Sequence, residues 1–193
     1  AANFDCDPWT RQSMLQTAEN VACRYGIGTE EQHDLVLHRY AQYAQALSGD
    51  RAFLRRFMAL PFDVPDARFS KVLKTLSADE GIHATTREGL AGLKPVLTGG
   101  SVSRGAQTHP ADGSAGLLIA TRERARELSR EPEVAVEILA IGQARTEAAQ
   151  MPYAPVPAAR RAMADAGLRF EDLQAVTTHN PFIVNAIVLA REP

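Results

Sequence analysis

The sequence predicts an α/β protein whose first half is mostly helical. Three observations carry that reading. Residues 1 to about 100 show helix starts and stops without a strand signal of note. From about residue 100 onward, short apolar runs alternate with helical stretches, a pattern that implies a sheet covered by helices. The composition is that of a folded chain: 193 residues, 45% hydrophobic and 23% charged, with only 13 Gly and 11 Pro. That balance excludes extended disorder and collagen-like or low-complexity classes.

The elements follow from local signals. Thr17 to Tyr25 has apolar spacing that stops at Gly26. Thr29 with Gln32 three residues later reads as a capping box opening a second helix to about Leu47, where Ser48-Gly49-Asp50 ends it. Arg51 to Met58 reads as a short helix, and Pro61, Pro65 and the aperiodic stretch to Ser77 as loop. Thr85 and Glu88 form another capping box ahead of Leu90 and Leu93. Gly99 to Gly105 reads as loop leading to Asp112-Gly113. Leu117 to Ala120 suits a buried strand, Thr121 caps a charged helix to about Arg130, and Val134 to Ile141 reads as a second strand. Pro155 to Ala166 has proline at its start and Gly167 just past its end, the expected asymmetry of a helix. Asp172 to Thr178 makes a third strand, and His179-Asn180-Pro181 turns into an apolar helix, Phe182 to Ala190. There is no internal repeat.

Charge and composition narrow the function classes. With 21 basic against 23 acidic groups, net charge −2, the chain lacks the basic footprint that phosphate backbones require, so nucleic acid is not expected as a partner. No apolar run approaches a bilayer span and the first residues show no signal-peptide pattern; a cytoplasmic protein without membrane association is expected. Cys6 and Cys23 are too few for a disulfide framework and match no metal knuckle. His33 and His38 lie five apart, off a common helical face, and read as surface or packing residues rather than metal ligands. No metal site is expected.

Two places can carry chemistry. Thr177 to Phe182 lies at the carboxyl end of an expected strand and the amino end of a helix, where α/β proteins gather ligands and unpaired N–H groups face developing negative charge. His179 there is either a donor to an oxyanion and a proton carrier, or a capping histidine; the residues alone leave both open. The polar loop Gly105 to Gly113 is either a ligand-facing loop or an ordinary solvated connection.

Three separated motifs then converge. Ser13-Met14-Leu15-Gln16-Thr17-Ala18-Glu19-Asn20, with Tyr25-Gly26-Ile27 and Glu30-Glu31-Gln32, resembles the thiolase loop-domain signature M-G-x-T-A-E-N followed by S-R-E-E-Q. Gly100-Ser101-Val102-Ser103 through Asp112-Gly113-Ser114-Ala115 resembles G-T-V-T-A-G-N-A-S-G-I-N-D-G-A-A. Ala154-Pro155-Val156-Pro157-Ala158 and His179-Asn180-Pro181-Phe182 are similar to G-P-V-P-A and N-E-A-F at the matching separation. The order persists across almost the whole chain.

The resemblance implies a partial thiolase-like fold, layered αβαβα. Residues 1–113 would be a mostly helical loop domain inserted in the N-terminal half, 114–132 the end of that half, and 133–193 the beginning of the C-terminal half. It implies acyl-CoA and CoA as ligands, with coenzyme A thioesters as substrates and no resident cofactor, and a homodimer or homotetramer. The chemistry is C–C bond formation or cleavage through a cysteine thioester. By this resemblance His179 replaces the asparagine of N-E-A-F as an oxyanion-hole donor, as in H-D-C-F and H-E-A-F forms. Met14 faces the acyl group; Arg104 and Gly105 lie beside the ligand; Thr108 keeps the hydroxyl that meets the pantetheine arm; and Phe182 is the aromatic of the motif. Gln107, His109 and Pro110 depart from N-A-S-G-I. The family's C-x-S-G nucleophile would fall before residue 1, and its G-H-P histidine and C-x-G cysteine after Pro193, so this chain alone is expected to be inactive. A non-catalytic CoA-binding or assembly subunit, or a partner chain supplying those motifs, is the alternative.

Overall fold

Capping chemistry accounts for where most of the helices begin. The computed structural model of the protein describes residues 2–109, 111 and 113–192. After a short α1 (Ala2–Asp5), helix α2 (Met14–Arg24) opens at Ser13, whose side chain accepts from the Gln16 N–H. Helix α3 spans Thr29–Ala46 and α4 Ser48–Arg55; within the first turn of α4 Gly49, Asp50 and Arg51 take left-handed φ of 57–59°, the break that Ser48-Gly49-Asp50 predicts. Helix α5 (Arg87–Ala91) starts from Thr86, α6 (Arg122–Leu128) from Thr121, and α7 (Pro155–Ala166) from proline in its first turn. Gly167 closes α7 with φ 67°. Helix α8 is Ile183–Arg191.

The core lies where α2, α3, α7 and α8 meet. Ala18, Val21 and Ala22 of α2 pack with Val156 of α7 and with Val184, Ile187 and Val188 of α8, while Leu35 and Val36 of α3 close the side. Val102 and Ala106, from the loop after α5, enter the same cluster. Arg191 fastens the end of α8 by donating to the Tyr25 carbonyl at 2.7 Å and to Glu31 at 2.6 Å. No helix among the described residues is long and apolar enough to cross a membrane.

The sheet differs from expectation. The three expected strands, within 117–120, 134–141 and 172–178, carry no ladder hydrogen bonds, and the side chains of Leu117 and Val136 are 82% and 92% exposed. A strand exists through its lateral partner, and among the described residues these segments have none. Among the described residues the one sheet is instead an antiparallel hairpin of β1 (Phe62–Pro65) and β2 (Val72–Leu76), in a stretch expected to be loop. It escapes the sequence pattern because both strands are largely exposed, so no buried-face alternation marks them, and Pro65 sits at a register irregularity.

Two capping boxes are also corrected. Gly28, not Thr29, is the N-cap of α3; the Thr29 hydroxyl reaches across to donate to the Ser101 carbonyl at 2.8 Å. Thr86, not Thr85, caps α5, accepting from the Gly89 N–H. Pro110 and Asp112 of the second motif lie outside the described residues.

Candidate active site

A carboxylate organises the loop that carries the site. Glu19, buried on α2, accepts from the Ser101 N–H at 2.8 and 3.0 Å, from the Ser101 hydroxyl at 3.1 Å and from the Val102 N–H at 2.8 Å. A buried carboxylate is tolerated when it is saturated in this way. Gly100 is needed beside it, since a Cβ there would stand 2.3 Å from Glu19 Oε1. The next turn is held from α3: Gln32 Nε2 donates to the Ser101 hydroxyl at 3.0 Å, and His33 Nε2 pairs with the Ser103 hydroxyl at 2.8 Å. Burial lowers the His33 pKa from 6.5, a shift only partly offset by neighbouring Asp34. His33 is thus a packing residue, and His38 is exposed.

From this anchor the chain makes a 3₁₀ turn at Arg104–Ala106 and runs antiparallel past the start of α8. Gln107 bridges Phe182, and the Thr108 N–H donates to the Pro181 carbonyl at 2.9 Å. That register sets the two motif loops side by side. Both open on a cavity of about 1120 Å³, lined among others by Met14, Gln107, Thr108, His179, Pro181, Phe182 and Asn185. The structure therefore brings together four of the residues singled out in the sequence: Met14, Thr108, His179 and Phe182. His179 is exposed to the opening, while Phe182 is buried in the core behind it.

Arg104 and Gly105 stand elsewhere. They line an adjoining hollow of about 750 Å³ with His83 and His109, and Gln107 and Thr108 form the wall shared by both spaces. Gly105 packs closely there: a Cβ would come within 2.7 and 2.9 Å of the Leu90 and Leu93 side-chain ends, which would have to shift. Neither cysteine lines the cavity; Cys6 and Cys23 are both free and exposed.

The opposite wall was not assigned to the site from the sequence, although Pro155 and Ala158 belong to the third motif. Residues 142–145, Met151, Pro155, Ala158 and Arg161 supply it. Gly142 approaches α7 so closely that a Cβ would lie 2.0 Å from the Ala158 carbonyl oxygen and 2.7 Å from the Ala162 nitrogen. Asn20 ties this wall to α2 by donating to the Ala149 carbonyl at 3.0 Å and to Gln12 at 2.7 Å, and Arg24 pairs with Glu147 at 2.9 Å. The glycine and the asparagine were the available signals, since each makes a contact that a larger or apolar residue could not.

Residues 5–123 match the family described as thiolase, N-terminal domain. The chain belongs to the thiolase family. It is 31% identical over 183 residues to a 3-ketoacyl-CoA thiolase from Pseudoalteromonas translucida, covering 93% of this chain and 45% of that protein. It is 32% identical over 188 residues to an acetyl-CoA acetyltransferase from Chromobacterium violaceum, covering 96% and 46%. The fold superimposes on the crystal structure of the Bacillus anthracis acetyl-CoA acetyltransferase with a TM-score of 0.81 at 28% identity, over 96% of this chain and 46% of that one. This thiolase-family chain spans about half the length of the relatives it matches.

Proposed function

We propose that the protein carrying this chain is an acyl-CoA acyltransferase of the thiolase type, making or breaking a C–C bond through a cysteine thioester. The observation that carries the reading is the meeting of Met14, Thr108, His179 and Phe182 on one largely apolar cavity, although Met14 and Phe182 stand 168 positions apart in the sequence. In this reading the acyl group enters between Met14 and Phe182. The pantetheine arm passes Thr108, whose hydroxyl faces it, and continues into the hollow lined by Arg104, which offers a positive charge, and Gly105. His179 supplies an N–H to the thioester oxygen as it gains negative charge, a stabilisation realised only in the transition state. The thiol nucleophile comes from outside the cavity-lining residues of this chain. CoA thioesters are the substrates, no resident cofactor takes part, and a homodimer or homotetramer in the cytoplasm is the expected working form.

Changing His179 to Ala in the whole protein is expected to lower kcat about a hundredfold or more, the usual scale for one oxyanion donor. Unchanged turnover would remove His179 from the site. The 193-residue chain assayed alone is expected to release no acetyl-CoA from a 3-ketoacyl-CoA and CoA; measurable thiolysis would show that a thiol of this chain is the nucleophile.

A further inference from the structure

His33 does not line the cavity, yet its partner belongs to the loop that does. The imidazole on α3 meets the Ser103 hydroxyl at 2.8 Å, and both residues are buried, 7% and 0% exposed. Ser103 immediately precedes the 3₁₀ turn at Arg104–Ala106, and its carbonyl accepts from the Ala106 N–H at 3.1 Å and from Gln107 Nε2 at 3.3 Å. The far end of the same stretch is fixed by the Thr108 N–H, which donates to the Pro181 carbonyl. Arg104, Gly105 and Thr108 are therefore placed by a backbone held at Ser103 on one side and at Pro181 on the other. A glutamine could hold the Ser103 hydroxyl at any pH, whereas a histidine makes that anchor depend on its own protonation.

We propose that His33 is a positioning residue that makes CoA binding depend on pH: its neutral imidazole holds Ser103, and with it the 104–108 loop, in register, and its protonation releases that loop. The inference rests on the acyl-CoA reading above. Burial favours the neutral ring, so release belongs to the acid side of pH 6.5. The carboxylates around the ring are engaged elsewhere. Asp34, which favours the charged ring, pairs with Arg87 of α5 at 2.8 Å. Glu19 of α2 is taken up by the Ser101 and Val102 amides, and Glu31 by Arg191 of α8 at 2.6 Å. Glu30, His38 and Glu88 are exposed, and Arg104, next to Ser103, adds a like charge. A buried imidazolium with no carboxylate to pair with moves toward water, and the Ser103 hydroxyl loses its partner.

The test titrates CoA into the whole protein by calorimetry at two pH values. The apparent Kd rises as the fraction of molecules with the loop in register falls, and the wild type is expected to bind about threefold or more weakly at pH 5.5 than at pH 7.5, with its far-UV circular dichroism unchanged. His33→Gln, which keeps a partner for Ser103 and does not titrate, should match the wild type at pH 7.5 and lose most of the pH dependence. What remains in that variant belongs to the phosphates of CoA, common to both proteins. His33→Leu, which removes the hydrogen bond, should bind weakly at both pH values. Equal pH dependence in the wild type and His33→Gln overturns the inference and leaves the acyl-CoA reading standing. So does wild-type affinity in His33→Leu, an affinity in His33→Gln at pH 7.5 as weak as in His33→Leu, or loss of the wild-type fold as a whole at pH 5.5. Failure of CoA to bind the wild type at pH 7.5 overturns the acyl-CoA reading, and this inference with it.

Discussion

His33 is a histidine whose work is structural. It is buried against Ser103, and its pKa is held below 6.5 chiefly because burial disfavours the imidazolium. An unfolded histidine takes up its proton near pH 6.5, so below that pH the unfolded state binds more protons and the fold loses stability. The contribution is fully retained above about pH 6.5 and declines as the pH falls toward the lower folded value. The melting temperature should therefore drop between pH 7.5 and 5.5 by more in the wild type than in His33→Gln, which keeps a partner for Ser103; equal drops would show that His33 does not titrate on unfolding. His179 contrasts with it. Its type and its place before a helix were legible in the sequence, but its partners across the cavity were not, because they come from α2 and from the loop after α5. Asn185 was legible only as a polar residue inside an apolar run; that it lines the cavity with an unpaired oxygen is visible only in three dimensions.

At the level of elements, the site depends on a clamp between α2 and the 100–108 loop. Glu19 holds the Ser101 and Val102 amides, and the same loop two to six residues after Val102 provides Arg104, Gly105 and the hydrogen bond from Thr108 to Pro181. Glu19→Ala would leave two amide N–H groups without their acceptor, costing of order 3 kcal/mol in urea unfolding. Glu19→Gln keeps one carboxamide oxygen as acceptor and should cost clearly less; equal losses would mean that the clamp is not what Glu19 contributes. The helices were largely readable because their signals are local. Thr121, Pro155 and Gly167 each act within one turn of their own position, whereas the start of α2 at Met14, capped by Ser13, was read three residues late at Thr17. Thr29 was misread because its hydroxyl finds a better partner in Ser101, 72 residues away, than in the first turn of its own helix. The 62–76 hairpin was missed for the converse reason: its pairing is local, but no buried face marks it.

At the scale of the whole molecule, two surfaces contrast. The face built from α2, α3, α7 and α8 is packed, whereas Leu117, Leu118 and Ile119 and the stretch from Val134 to Ile141 expose apolar side chains on backbone without ladder partners. Exposed apolar segments with unpaired backbone invite association. The 193-residue chain in isolation is expected to bind a hydrophobic dye and to sediment as oligomers, and Leu118→Lys combined with Val136→Lys should shift it toward monomer; a monodisperse wild-type monomer would refute this. The sequence by itself determined which segments are helical or apolar, because propensity, capping and side-chain type are properties of a few consecutive residues. Only the tertiary structure decided which segments pair as strands, that Met14 and Thr108 line one cavity with His179, and that Gly142 and Asn185 complete the wall. Those outcomes depend on partners far away in the sequence, and a hydrogen bond or a close contact exists only once both sides have been brought together.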